Sequence, residues 1–210
     1  MLDTVSSDRI RHELELVLQE EMPEKVLRRA DKLGVLEKLF PGLKGDSWLN
    51  KKFAASREAI SPDTTSPEIY LALLAFRLSE EETEEFIREY RLRKSQAKNL
   101  RDITNLKTSL DELAKNDIKR SKIYRILHDS SKSALTAFSI AADSPAVKEH
   151  IDFYLNELRY VKPNLNGKDL ERLGYEPGPR MKQILDFLLE AKLDGVETTK
   201  EQDETMILGW

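Results

Sequence analysis

Residues 165–195 read LNGKDLERLGYEPGPRMKQILDFLLEAKLDG. The first part has the pattern of a short helix that ends at Gly174, and a second helix begins at Pro177, Gly178 and Pro179. Along this second helix the apolar residues Ile184, Leu185, Leu188 and Leu189 recur at helical spacing, which predicts one buried face. The stretch therefore predicts two helices that pack around a tight corner.

The start of the second helix also has the features of an anion-binding site. Gly178 leaves room for a phosphate to approach exposed backbone N–H groups, at the positive end of the helix dipole. Nearby cations would reinforce that attraction, and we expect a phosphate-contacting surface formed by Lys162, Lys168, Gly178, Arg180 and Lys182. The alternative is a plain helix-turn-helix corner, in which glycine and proline only shape the chain.

Helical periodicity continues over the rest of the chain, and no run alternates apolar and polar residues as a half-buried strand requires. Helix start signals recur at Ser6, Pro23, Ser66-Pro67, Ser79 with Glu82, Ser144-Pro145 and Thr199 with Gln202. Stop signals recur at Gly34, Pro41-Gly42, Pro163 and Gly195. These signals predict an all-α fold, an elongated array of helical bundles with about ten or eleven helices and no significant sheet.

We predict three helical domains, at residues 1–60, 61–142 and 143–210. Among the larger apolar residues, Trp48, Phe76, Phe138, Phe187 and Leu188 are candidates for the core. No internal repeat is visible along the chain.

Composition excludes several classes of protein. The chain has 210 residues and no cysteine, so disulfides, thiolate nucleophiles and cysteine-based metal sites are excluded. The longest apolar stretch, near residues 69–76, falls far short of the roughly 20 residues that span a bilayer. We therefore expect a cytoplasmic protein with no membrane partner.

Charge is distributed unevenly. The formal net charge is −4, yet residues 88–125 contain 12 Lys and Arg against 5 Asp and Glu. This stretch could form a local phosphate-binding face on an acidic protein, or simply a solvated helix face.

No complete catalytic motif is present. His128-Asp129 resembles the core pair of HD phosphohydrolases, but the further His and Asp ligands are lacking. Residues 42–47 read GLKGDS, which lacks the length and the preceding strand of a P-loop and indicates an interhelical turn. The acidic run at residues 80–85 fits the first turn of a helix better than a metal site. We expect no catalytic residue and no metal site in this chain.

Two separate segments resemble one known family. Residues 6–14 read SSDRIRHEL and are similar to the Ser-x-Glu-Arg-Ile-Arg-x-Glu-Leu helix of bacterial CCA-adding enzymes and poly(A) polymerases, which are class II nucleotidyltransferases. Asp8 stands where that family usually has Glu. The resemblance continues in residues 33–36 (LGVL) and 39–41 (LFP).

The second segment lies near the other end. Matches to the family's tail are found at Gly167-x-Asp169-Leu170, Leu173-Gly174, Pro177-Gly178-Pro179, Ala191-x-Leu193-Asp194-Gly195 and residues 198–201. Residues 45–143 carry little of the family's motifs.

This resemblance implies an all-helical neck, body and tail that grip the acceptor stem and elbow of tRNA while a separate head adds nucleotides to the 3′ end. In that family the head holds two magnesium ions with a Gly-Ser/Thr-x-Asp-x-Asp motif, and the neck selects nucleotides with a Glu-Asp-x-x-Arg element; both are missing from this sequence. The resemblance therefore implies a C-terminal, RNA-binding piece with no cofactor and no nucleotide transfer of its own. Its partners would be a nucleotidyltransferase head and tRNA or another RNA 3′ region.

Two other functions remain open. One is a helical protein-interaction or assembly module whose basic face is merely solvated. The other is a helical module that binds DNA through the corner at residues 174–179.

Overall fold

The protein is described here by a computed structural model, which covers residues 6–59 and 67–208 and, at Ala59, the backbone alone. Within these ranges there are fourteen α-helices and no β-strand, so the all-α prediction is confirmed. Eleven helices have seven residues or more, which matches the ten or eleven predicted; α3, α8 and α12 are shorter. The helices are α1 Ser7–Val17, α2 Pro23–Lys32, α3 Val35–Leu39, α4 Ser47–Ala59, α5 Pro67–Ala75, α6 Glu80–Glu89, α7 Lys94–Thr108, α8 Leu110–Leu113, α9 Arg120–Leu127, α10 Lys132–Ala141, α11 Pro145–Asn156, α12 Gly167–Arg172, α13 Pro179–Leu193 and α14 Lys200–Ile207, with a 3-10 turn at Leu158–Tyr160.

The predicted start signals act as helix caps. Ser79 accepts a hydrogen bond from the backbone N–H of Glu82, whose carboxylate accepts one from the Ser79 N–H in return. Thr199 and Gln202 form the same reciprocal pair before α14. Ser6 caps α1, and α2 and α11 begin at Pro23 and Pro145, as expected. Ser66 lies outside the described residues.

Glycines end helices where the sequence indicates. Gly34, Gly174 and Gly195 have φ angles of 67°, 92° and 94°, in the left-handed region that glycine adopts readily. They follow α2, α12 and α13, so each stands just after the end of a helix.

One compact unit comprises Met1–Ala114 and Asp129–Lys148. Its centre is α5, in which every residue from Ile69 to Ala75 is buried, since α4, α7 and α10 pack around it. The core of this unit contains residues from before position 60, such as Leu27 and Phe53, and residues from after it, such as Phe86 and Ala137.

The second unit comprises Lys115–His128 and Glu149–Trp210. In it α13 packs against α9 and α12. A small apolar core joins α12, α13 and α14, formed by Leu165, Leu170, Met181, Ile184, Leu188 and Ile207. The division into domains 1–60, 61–142 and 143–210 stays a prediction.

The predicted core residues are only partly confirmed. Phe138 and Leu188 are buried, while Trp48 and Phe76 are half-buried and stack on each other with ring centroids 5.8 Å apart. Phe187 is 37% exposed, so its assignment to the core was wrong. On α13 the buried stripe passes through Ile184 and Leu188, and Phe187 projects about 100° away from Leu188.

Candidate nucleic-acid interface

All five residues predicted to meet phosphate lie in the second unit and are exposed. Gly178 is the residue before α13, Arg180 and Lys182 lie in the first turn of that helix, and Lys168 lies on α12. Arg180 and Lys182 flank the buried Met181 and project to different sides, because residues two apart on a helix do not share a face. The guanidinium carbon of Arg180 lies 6.0 Å from the ring centroid of Tyr175.

The fold does not require glycine at position 178. Its φ of 164° is ordinary extended backbone, and a Cβ placed there would meet no atom within 4 Å. The space beside the Cα of Gly178 is therefore open at the start of α13.

Asp169 stabilises the packing of the C-terminal helices that lie next to these cations. Its buried carboxylate accepts hydrogen bonds from the Lys200 ammonium at 2.6 Å, from the Asn166 backbone N–H at 3.0 Å and from the Arg172 guanidinium. The hydrogen bond from Lys200, followed by that from Asn166, lowers the pKa of Asp169 to about 2. Asp169 thus ties α12 to α14, and it uses the charges of Arg172 and Lys200 for that purpose.

Further polar contacts stabilise the helices α12, α13 and α14 and the segment just before them, which together we call the tail. The Tyr175 hydroxyl donates to the backbone carbonyl of Ile207 at 2.6 Å. The side-chain amide of Asn164 donates to the Thr198 carbonyl at 2.7 Å and accepts from the Lys192 ammonium at 2.6 Å. These contacts hold the connections before α12 and after α13 in place.

Part of the basic stretch at residues 88–125 is engaged in contacts within the protein. At least six of its twelve cations are engaged: Arg91 with Asp8, Arg93 with Glu15, Lys98 with Asp102, Arg101 with Glu84, Arg125 with Glu190, and Lys107 with the backbone carbonyls of Phe76 and Leu78. The Arg101 pair is bidentate, with N–O distances of 2.6 and 2.7 Å. Five of the twelve positive charges therefore have a carboxylate partner within the protein.

A different basic surface, missed in the sequence, lies on α2. Its four cations Lys25, Arg28, Arg29 and Lys32 are all exposed. Within the described part of the chain, none of their side chains forms an ion pair or a hydrogen bond. The signal was present in the spacing i, i+3, i+4, i+7, which puts four like charges on one face of a helix.

The acid at the start of α2 is turned inward. Glu24 is buried and pairs with both terminal nitrogens of Arg57 on α4, at 2.9 and 2.5 Å. Arg57 also reaches the Tyr70 hydroxyl at 3.5 Å. The ion pair anchors α2 to the core and removes a negative charge from the outer face.

Other candidate chemistry is not supported. Over residues 6–59 and 67–208 there is no cluster of three or more His, Asp or Glu side chains placed to hold a metal ion. Residues 42–47 form the expected interhelical turn, in which the Asp46 carboxylate accepts from the Leu49 N–H at 3.1 Å and caps α4. Within the described residues no helix is long and apolar enough to cross a membrane.

Comparison with known proteins points to one family. Residues 1–46 match the family model described as the probable RNA- and SrmB-binding site of polymerase A. A curated A-adding tRNA nucleotidyltransferase of Geobacter sulfurreducens is 25% identical to the chain over 224 residues. The resemblance to the CCA-adding enzyme and poly(A) polymerase family is confirmed.

Solved structures of this family have the same fold. The Thermotoga maritima CCA-adding enzyme complexed with tRNA-CCA matches 99% of the chain with a TM-score of 0.75 and 24% identity. A CCA-adding enzyme bound to CTP matches to the same degree. The chain covers 24% of the Geobacter protein and about half of each solved structure, 52% and 51%.

Proposed function

We propose that this chain is the RNA-binding region of a CCA-adding or poly(A)-adding nucleotidyltransferase, which acts in the cytoplasm and grips the acceptor stem and elbow of tRNA. The observation that carries the proposal is the match of residues 1–46 to a family model for RNA binding. The shared fold with an enzyme solved in complex with tRNA supports it.

Recognition would rest on shape and phosphate charge. A-form duplexes offer side chains a shallow minor groove and a regular array of phosphates, so a rigid helical scaffold with exposed cations suits them. In the tail, Lys162, Lys168, Arg180 and Lys182 supply the cations and Gly178 the open backbone.

Nucleotide transfer would belong to another part of the parent protein. The sequence lacks the head motif whose carboxylates hold magnesium in this family, and two-metal phosphoryl transfer depends on such carboxylates. We therefore expect the chain to bind RNA and to need a nucleotidyltransferase head for catalysis.

Tail variants test the proposed RNA contact. Arg180→Ala combined with Lys182→Ala should weaken tRNA binding and make the slope of log K against log salt shallower by about one for each lost phosphate contact. Gly178→Val should weaken binding by blocking close approach while keeping most of that slope, because no charge is lost. Both affinities should be measured at several salt concentrations, beside the melting temperature of each variant.

A matched control removes the same charge elsewhere in the same unit. Lys115→Ala with Lys119→Ala takes two exposed cations from the segment around the start of α9. If the Arg180 and Lys182 variant binds tRNA as well as this control and the unaltered chain do, the tail is not part of the RNA interface.

The chief alternative is a protein-interaction module without affinity for nucleic acid. It predicts that tRNA and duplex DNA are both left unbound at ordinary salt. Preference for tRNA over duplex DNA favours the RNA-binding function over a DNA-binding one.

A further inference from the structure

The helix α2 lies within residues 1–46, the segment that matches the RNA-binding family model, but no residue of its exposed face has yet been given a role. Each residue advances an α-helix by about 100°, so Lys25, Arg28, Arg29 and Lys32 project within an arc of about 100° and over about 10 Å of helix length. Val26 and Leu33 border the arc and are 42% and 61% exposed. The face is therefore a compact basic surface with an apolar border on one side.

The arrangement disfavours the isolated helix. Lys25 with Arg29, and Arg28 with Lys32, are like-charged pairs four residues apart, which destabilise a helix. Within the described residues neither acidic side chain of α2 pairs with these cations: Glu24 is buried against Arg57, and Asp31, which borders the arc beside Arg28, is half-buried and forms no ion pair. A bound polyanion would relieve this repulsion.

The positive charge and the length of this face suit the regularly spaced phosphates of a nucleic-acid duplex. A duplex carries a phosphate charge every few ångströms along its axis, so a face about 10 Å long meets several phosphates at once. Arg28 and Arg29 bring planar guanidinium groups, which bind phosphate oxygens in a two-pronged manner.

We propose that this face of α2 is a second phosphate-binding surface, which contacts the backbone of double-stranded RNA independently of the tail. The inference rests on the proposed RNA-binding function and adds a named contact surface in the first unit. Glu24 and Arg57 act as positioning residues, since their ion pair fixes the orientation of α2 and keeps the outer face free of negative charge.

The test uses the full chain and a tRNA. Arg28→Ala with Lys32→Ala removes one arginine and one lysine from exposed helix positions, where alanine is well tolerated. Each lost phosphate contact should weaken binding about tenfold at 0.1 M salt, and the slope of log K against log salt should become shallower by about two in total. The control Arg88→Ala with Lys94→Ala removes the same two residue types from exposed positions on α6 and α7.

The outcomes separate this inference from the proposed function. Weaker binding and a shallower slope for the α2 variant, with an unchanged melting temperature and a smaller effect in the control, support the inference. If the unaltered chain binds tRNA but the α2 variant has the affinity and slope of the control, the inference is wrong and the proposed function stands; the face would then serve another partner, such as an acidic protein helix. If the unaltered chain does not bind tRNA, both are overturned.

Discussion

Gly45 and Gly178 differ in whether the fold needs a glycine at that position. A Cβ on Gly45 would lie 2.4 Å from the backbone carbonyl oxygen of Leu27 and 2.9 Å from the backbone nitrogen of Arg28, so α2 packs directly on this glycine. A Cβ on Gly178 would meet nothing. Both residues stand beside helix starts in the sequence, and only the three-dimensional contacts separate a packing glycine from an open one.

Gly45→Ala should destabilise the protein. The neighbouring atoms are backbone and cannot rotate away, so we expect a loss of about 1–3 kcal/mol in the free energy of unfolding, typical of overpacking. Gly178→Ala is the matched control and should stay within about 0.5 kcal/mol of the unaltered chain, as surface substitutions usually do. Chemical unfolding of both variants provides the comparison, and equal stabilities would contradict the packing described at Gly45.

For the helices, contacts between residues close together in the sequence, such as helix caps, could be predicted from the sequence. Contacts between residues far apart in the sequence could not. The capping pair of Ser79 and Glu82 spans four residues, so the sequence alone indicates it. By contrast, Lys107 binds carbonyls about thirty residues away, and Glu24 meets Arg57 thirty-three residues along the chain. The excess of Lys and Arg at residues 88–125 is therefore visible in the sequence. Which carboxylates and carbonyls these cations contact depends on how the helices pack.

The basic face of α2 was missed in the sequence for the same reason. In α2 Leu27 is buried, whereas Val26 is 42% exposed. Only the packed structure shows that the four cations on the outer face have no ion-pair partner among the described residues.

The contact of α12 with α14 predicts an acid-sensitive tail. The folded pKa of Asp169 is about 2, below its ordinary value of 3.8, so its contribution to stability is complete above pH 3.8 and is lost as the pH falls through about 2. Asp169→Asn should lower the melting temperature at neutral pH and flatten its fall between pH 4 and pH 2. Melting curves of both proteins across this range test the point; parallel pH profiles would show that Asp169 does not make this contribution.

For the molecule as a whole, the sequence alone indicated the all-helical class and the resemblance to one family. The motifs at residues 6–14 and 167–195 carry that resemblance, and the structural similarity extends over 99% of the chain. Residues 45–143, which carry few of the family's motifs, contain α5 and α7, and these two helices pack against each other in the core of the first unit.

The proposed function of this chain is to bind structured RNA through phosphate contacts. Its decisive test is the affinity of the unaltered chain for tRNA between 50 and 200 mM salt. We expect saturable binding whose log K falls linearly with log salt, with a slope of about −3.6 or steeper if the tail and α2 together contact at least four phosphates. Absence of binding at 50 mM salt, or an affinity that does not change with salt, would contradict this account.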